Sequence, residues 1–134
     1  MKKPLLILIP LSLLVVGACD KGAPESAEPA PEVAQADPAA IAAEAQQIYK
    51  STCVVCHGES GGGDGPGAAA LTPKPRAFSD AEWSASVTDE HLAKVIRDGG
   101  AAVGKSPIMP GNPQLKGKDD VLAELVKIVR AFNE

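Results

Sequence analysis

The chain has 134 residues, room for one domain and its appendages. Its 13 basic and 17 acidic residues give a formal charge of −4, which argues against the basic face that nucleic acid requires. Tyr49, Phe78, Trp83 and Phe132 are its only aromatic residues, so something other than large rings is expected to supply part of the buried apolar volume.

Lys2 and Lys3 precede Leu5 to Ala18, a stretch of 14 mostly apolar residues broken by Pro10 and Ser12. The stretch is short for crossing ~30 Å of hydrocarbon and has the form of a secretory signal. Pro10 and the leading lysines argue against a buried core helix. Val16-Gly17-Ala18-Cys19 resembles the bacterial lipobox, whose cysteine becomes the acylated N-terminus of the mature chain. The resemblance implies that residues 1–18 are a lipoprotein signal peptide and that Cys19 is lipidated. It also implies a firm lipid anchor on the periplasmic side of a bacterial cell envelope. Asp20 resembles an inner-membrane retention signal of enteric bacteria, which favours the inner membrane over the outer. The alternative is a free or disulfide-bonded Cys19. Loss of residues 1–18 removes Lys2 and Lys3 and leaves 11 basic against 17 acidic residues, net −6. Such a surface suits a basic docking partner, and it also serves solubility.

Pro24, Pro29, Pro31 and Pro38 follow among Ala, Glu, Ser and Gln, with almost no large apolar residue. Such a segment cannot bury enough surface to fold, so residues 19–37 read as a disordered tether. The 19 residues from Asp20 to Pro38 reach at most roughly 60 Å as polyproline II, at ~3.1 Å each.

The folded domain is expected over residues 38–134. Asp37 suits an N-cap and Pro38 a first helical position. Ile41, Ala45, Ile48, Tyr49 and Thr52 then share one face at helical spacing. A second helix is expected from a Thr88 cap, with Asp89 and Glu90 in its first turn. Leu92, Val95 and Ile96 form its apolar stripe, and Gly99-Gly100 ends it. A third runs from about Asp119 to Phe132, with Leu122, Leu125, Val126, Val129 and Phe132 on one side. Lys127 and Arg130 near its end complement the helix dipole. No alternating strand pattern appears, so the fold class is all-α. Between the first two helices, Gly58 to Ala85 is rich in Gly and Pro and reads as an irregular segment wrapped around something.

Cys53-Val54-Val55-Cys56-His57 is the attachment pattern of c-type haem. Each thiol adds across one vinyl group to form a thioether, and two intervening residues match the separation of the vinyls. The adjacent histidine then lies beneath the iron. Three alternatives are weaker. Cys53, Cys56, His57 and His91 make a poor tetrahedral zinc set, because two of them are chain neighbours. A dithiol redox motif expects a βαβ setting. A disulfide across so small a loop contributes little. The Gly61–Gly67 cluster is no phosphate loop, since neither a preceding strand nor a following Gly-Lys-Ser/Thr is present; flexible wrapping over the haem edge accounts for it.

A sixth iron ligand follows by elimination. After Met1 the one methionine is Met109, in the Pro-bracketed run Ser106-Pro107-Ile108-Met109-Pro110-Gly111. A lone Met is often a core gap-filler, but this one lies in a turn-rich stretch rather than on a helix stripe. The competitor His91 falls in the first turn of the second helix, opposite its apolar stripe, and reads as a solvated surface residue.

Over residues 38–134 the sequence resembles the class I, single-haem bacterial cytochromes c. Ala45 and Tyr49 ahead of Cys53, the haem motif, Met109-Pro110, and the ending Val129-Arg130-Ala131-Phe132 carry the resemblance. It implies helices packed around one covalently bound haem. It also implies a close crossing of the first and last helices, with Ala45 where Gly is commoner and Tyr49 facing Phe132. The run from Gly63 to Arg76 resembles a subset related to soluble carriers and to cytochrome subunits of respiratory oxidases. In the family, Nδ1–H of the iron-bound histidine donates to the carbonyl of a loop proline, which here leaves Pro66, Pro73 and Pro75 open. The macrocycle would replace the missing aromatics at the centre of the core, packed by Ile48, Leu71, Leu92, Ile96, Ile108, Leu122 and Val126.

The function this implies is transfer of one electron by a membrane-tethered carrier rather than an enzyme. Its partners are a quinol-oxidising complex or dehydrogenase as donor and a terminal oxidase or reductase as acceptor. Contact would be transient, through a haem edge rimmed by Val54, Val55, Ala68–Ala70, Ile108 and Pro110. The alternatives are a haem-binding subunit of a larger oxidoreductase complex, and a small haem enzyme or sensor with a labile sixth ligand.

Overall fold

The computed structural model describes residues 37–134. The signal peptide over residues 1–18, the lipidation site Cys19 and the tether as far as residue 36 lie outside the described residues. Among the described residues there are helices and turns and no strand, as an all-α domain requires.

Helix α1 spans Pro38–Ile48. The Asp37 carboxylate accepts from the Ala39 amide at 2.9 Å, so the expected cap is in place. The chain then runs through a π-helical turn, Tyr49–Cys53, directly into the short helix α2, Val54–His57. The extra residue of that turn shifts the helical register. Ala45 and Tyr49 stay buried, but Thr52, expected on the same face, is turned out to solvent.

Helices α3 (Ala81–Ser86), α4 (Asp89–Asp98) and α5 (Asp119–Ala131) follow. Thr88 caps α4 by accepting from the His91 amide at 3.2 Å, and Gly99 closes it at φ +86°. Helix α3 and a 3₁₀ turn at Pro66–Ala68 give regular structure to the segment expected to be irregular. The signal for α3 was its cap, Asp80, whose carboxylate accepts from the Trp83 amide at 3.0 Å; six residues are too few for a periodic stripe.

Helix α5 packs on both α1 and α4. Ala45 is completely buried, and the Tyr49 and Phe132 rings lie 5.4 Å apart, the pairing expected of the first and last helices. Leu92 and Ile96 of α4, Leu115, and Val121, Leu122, Leu125, Val126 and Val129 of α5 complete the core. Each such side chain contributes about 1.5–3 kcal/mol through burial. Of the residues expected around the haem, Ile48 is half-buried and packs against this core, Leu71 is half-buried and Ile108 is 55% exposed.

Arg130, in the last turn of α5, joins that helix to the α3–α4 connection. Its guanidinium donates to the Ser84 carbonyl and hydroxyl, to the Val87 carbonyl at 2.7 Å and to the Asp89 carboxylate at 2.8 Å. The residue expected to complement a dipole is thus a fastening for three helices.

Candidate functional site

Cys53, Cys56 and His57 are held by one helical run. The Val54 amide donates to the Tyr49 carbonyl, five residues back, and this closes the π turn at the first cysteine. Gly58, at φ +77°, ends the run with its amide donating to the Val54 carbonyl at 2.9 Å. The Tyr49 hydroxyl donates to the Gly58 carbonyl at 3.0 Å, which fixes the exit of the motif to the helix before it.

The glycine cluster has a use the sequence reading did not find. The Gly63 amide donates to the His57 carbonyl at 2.9 Å and the Gly65 amide to the Cys56 carbonyl at 3.2 Å. These are carbonyls that the end of a helix leaves without partners. A Cβ on Gly65 would meet the carbonyl oxygens of Val54 and Val55, and one on Gly63 that of Pro75. The loop therefore lies directly on the backbone of the motif. Gly67 continues it, its missing Cβ 3.1 Å from a Val55 methyl and 3.5 Å from the Cys56 sulfur.

His57 is half-buried. Its Nδ1 lies 3.2 Å from the Arg76 carbonyl, and its ring stacks on Phe78 with centroids 4.4 Å apart and planes 16° apart. Burial pushes its pKa below the usual histidine value, and the Arg76 carbonyl pulls partly the other way. A carbonyl only accepts, so Nδ1 carries the proton in the neutral ring and Nε2 keeps its lone pair. That is the form in which imidazole binds a metal. The acceptor corrects the expectation of a proline: it is Arg76, not Pro66, Pro73 or Pro75. The Pro75 carbonyl is instead turned onto Gly63.

Cys53 and Cys56 are both free and half-buried. Burial, aided by the neighbouring Cys56, pushes the Cys53 thiol up to about 11. A thiol held protonated is a poor redox nucleophile. No group of three or more His, Cys, Asp or Glu among the described residues is placed to hold a metal ion. The zinc and dithiol readings thus gain nothing from the geometry.

Met109 stands on a different part of the chain, the connection between α4 and α5, and is half-buried. Its carbonyl accepts from the Gly100 amide at 3.0 Å, and its amide donates to the Ser106 carbonyl at 3.3 Å. Gly99 allows the approach, since a Cβ there would stand 2.7 Å from the Gly111 nitrogen and 3.0 Å from the Met109 carbonyl oxygen. The buried Asn112 completes the seat: its amide donates to the Arg97 carbonyl at 2.9 Å and its side-chain amide to the Ile96 carbonyl. His91 is half-buried on α4 rather than fully solvated. Of the expected apolar rim, Val55, Ala69, Ala70, Ile108 and Pro110 are exposed, whereas Ala68 is buried and Val54 packs against the core.

Sequence reasoning missed Phe78 as the support of the histidine and Arg76 as its acceptor. Both lie about twenty residues downstream, and only chain folding relates them to the motif. The donor set is two paired free thiols, a neutral imidazole with Nε2 free, and a half-buried thioether on a separately braced loop. These are the groups a c-type haem takes. No curated protein and no solved structure matches the chain significantly. Residues 40–127 match the family model described as cytochrome C oxidase, cbb3-type, subunit III. The match spans α1 to most of α5, so the chain belongs to that family and its helical domain is a cytochrome c domain.

Proposed function

We propose that this cytochrome c domain holds a single haem c. Cys53 and Cys56 supply the thioether bonds, and His57 and Met109 are the axial ligands. The observation that carries the reading is the His57 ring: its Nδ1 faces the Arg76 carbonyl and its face stacks on Phe78, which leaves Nε2 to bind iron. The haem supplies one-electron chemistry, and Met ligation raises its potential relative to two histidines. The chain's part is to orient His57, brace the Met109 loop and bury the group. With both axial positions closed by side chains, the site transfers electrons and offers no position to a substrate. The tether and a lipidated Cys19 would keep the domain at the periplasmic face of the inner membrane. There it would meet a donor such as a quinol-oxidising complex or dehydrogenase, and an acceptor such as a terminal oxidase or reductase. The exposed Val55 and Ile108 suit brief contact with such partners.

Expression with export and haem-attachment machinery tests this. A coloured protein whose mass includes one haem is expected, with a Met–iron(III) charge-transfer band that Met109→Ala abolishes. Ready binding of CO by the unmutated reduced protein would instead favour the haem enzyme or sensor. The family description favours a second reading, a subunit docked in an oxidase complex. Detergent-solubilised native membranes separate the two: a free carrier runs alone, a subunit co-purifies with its complex.

A further inference from the structure

All four aromatic side chains and His57 form one connected group. Trp83 lies 5.9 Å from Phe78 with planes 25° apart, and Phe78 stacks on His57 at 4.4 Å with planes 16° apart. Phe78 also touches Phe132 at 6.1 Å, and Phe132 touches Tyr49. In a chain with so few aromatics, the first three rings make a nearly parallel file that ends on the imidazole.

The outer end of the file is at the surface. Trp83 is half-buried and lines a groove of about 270 Å³ with Arg76, Asp80, Glu82 and Ser86. Every member is held from both sides. The Trp83 amide donates to Asp80, its carbonyl accepts from the Ser86 hydroxyl at 2.7 Å, and the Arg76 guanidinium lies 5.6 Å from the indole centroid. The Phe78 amide donates to the Gly61 carbonyl at 2.7 Å, and the absent Cβ of Gly61 leaves its ring room. Arg76 therefore acts at both ends, with its carbonyl on His57 and its guanidinium on Trp83.

We propose that Trp83, Phe78 and His57 form an electron path between the surface groove and the haem iron, separate from the exposed rim at Val55 and Ile108. This rests on His57 being the iron ligand. The step is a single tunnelling event. A one-electron donor, a reduced metal centre of a redox protein seated at the groove, loses one electron, and the ferric iron gains it. No proton moves and no ring is oxidised, because the rings act only as the medium between the two centres. Tunnelling weakens steeply across gaps, and closely stacked rings leave few. A donor at the groove gains more from this path than a donor at the Val55 and Ile108 rim.

The test uses the mature haem protein with a photoactive ruthenium complex on an introduced histidine. Glu82→His places it at the groove and Ala69→His at the rim, both exposed positions. Flash-induced reduction of the iron is timed at each site, with and without Phe78→Leu. From the groove site, Phe78→Leu is expected to slow transfer, with little change from the rim site. An unchanged groove-site rate would overturn the path, and so would equal slowing at both sites, which would mark a general effect on the iron. Voltammetry and the near-ultraviolet dichroism of the indole are read on the same samples. The Trp83 band is expected to weaken in Phe78→Leu, and an unaltered band would remove the stack itself. Should Phe78→Leu fail to mature, Trp83→Leu carries the same comparison at a half-buried position and leaves the His57–Phe78 contact in place. A preparation without a haem spectrum fails the underlying reading before any flash, and the path falls with it.

Discussion

Asn112 donates its side-chain amide to the backbone carbonyl of Ile96, sixteen residues earlier, with the contact buried. This bond ties the loop that carries Met109 to the end of α4, where the Arg97 carbonyl receives the Asn112 backbone amide. Asn112→Ala leaves a buried carbonyl without its partner, at about 1–3 kcal/mol. Urea unfolding of the mature protein is expected to show that loss, together with a weaker Met–iron(III) band. A full loss of stability with an unchanged band would separate Asn112 from the placing of Met109.

Two glycines should fail for different reasons. Gly65 has an ordinary φ of −57°, yet a Cβ there meets the carbonyls of Val54 and Val55. Gly117 sits at φ +76° with open space around it. Gly117→Ala is expected to cost only the left-handed conformation, about 1–2 kcal/mol. Gly65→Ala forces the loop off the haem motif and is expected to cost about 3 kcal/mol and to lower the yield of covalently attached haem. Thermal unfolding and haem-stained yield check both, and an equal, mild effect at the two positions would contradict the close contact.

Arg130 bonds four groups between Ser84 and Asp89: the Ser84 carbonyl and hydroxyl, the Val87 carbonyl and the Asp89 carboxylate. Arg130→Met removes all of them and exposes the Ser84 and Val87 carbonyls to an apolar neighbour, a loss of about 2–3 kcal/mol. Arg130→Lys, with a single ammonium, is expected to recover less than half of it. Denaturant melts of the three proteins, compared at one pH, give the order.

Burial pushes the Tyr49 hydroxyl up to about 12, with a smaller contribution from the free Cys53 thiol that a thioether would remove. Unfolded tyrosine titrates near 10. Below that value both states keep the proton and stability is unaffected. As pH rises above about 10 the unfolded chain gives up its proton first, so stability falls until the folded value near 12 is reached. The haem-bearing protein is expected to lose stability over this window, and Tyr49→Phe to lose less. Stability measured from pH 9 to 12 decides it, since parallel curves would remove Tyr49 from the alkaline transition.

Cys53→Ala together with Cys56→Ala removes the proposed attachment. The chain then lacks the body expected to cover Ile108, Leu71 and the Met109 loop, and its helicity by circular dichroism is expected to fall substantially. Retention of the full helical signal would show that the α1–α4–α5 contact suffices alone.

The local chemistry of this protein was readable from its residues in order. Asp37-Pro38, Thr88 and Gly99 mark helix ends because caps depend on two or three neighbouring residues. Cys53, Cys56 and His57 declare a haem motif because their spacing is itself the geometry. Met109 stood out by being nearly alone of its kind. The stripes of α4 and α5 appeared because helical periodicity is a short-range signal. Folding in three dimensions decided the rest. The π turn at Tyr49–Cys53 moved Thr52 off the buried face, a one-residue shift that no periodic pattern records. The choice of Arg76 over three prolines as partner of His57, the seat of Phe78 against the imidazole, and the pressing of Gly63 and Gly65 onto the motif all join residues six to twenty-one positions apart. Such contacts depend on how the chain turns back on itself after the motif, which periodicity and local capping signals do not record.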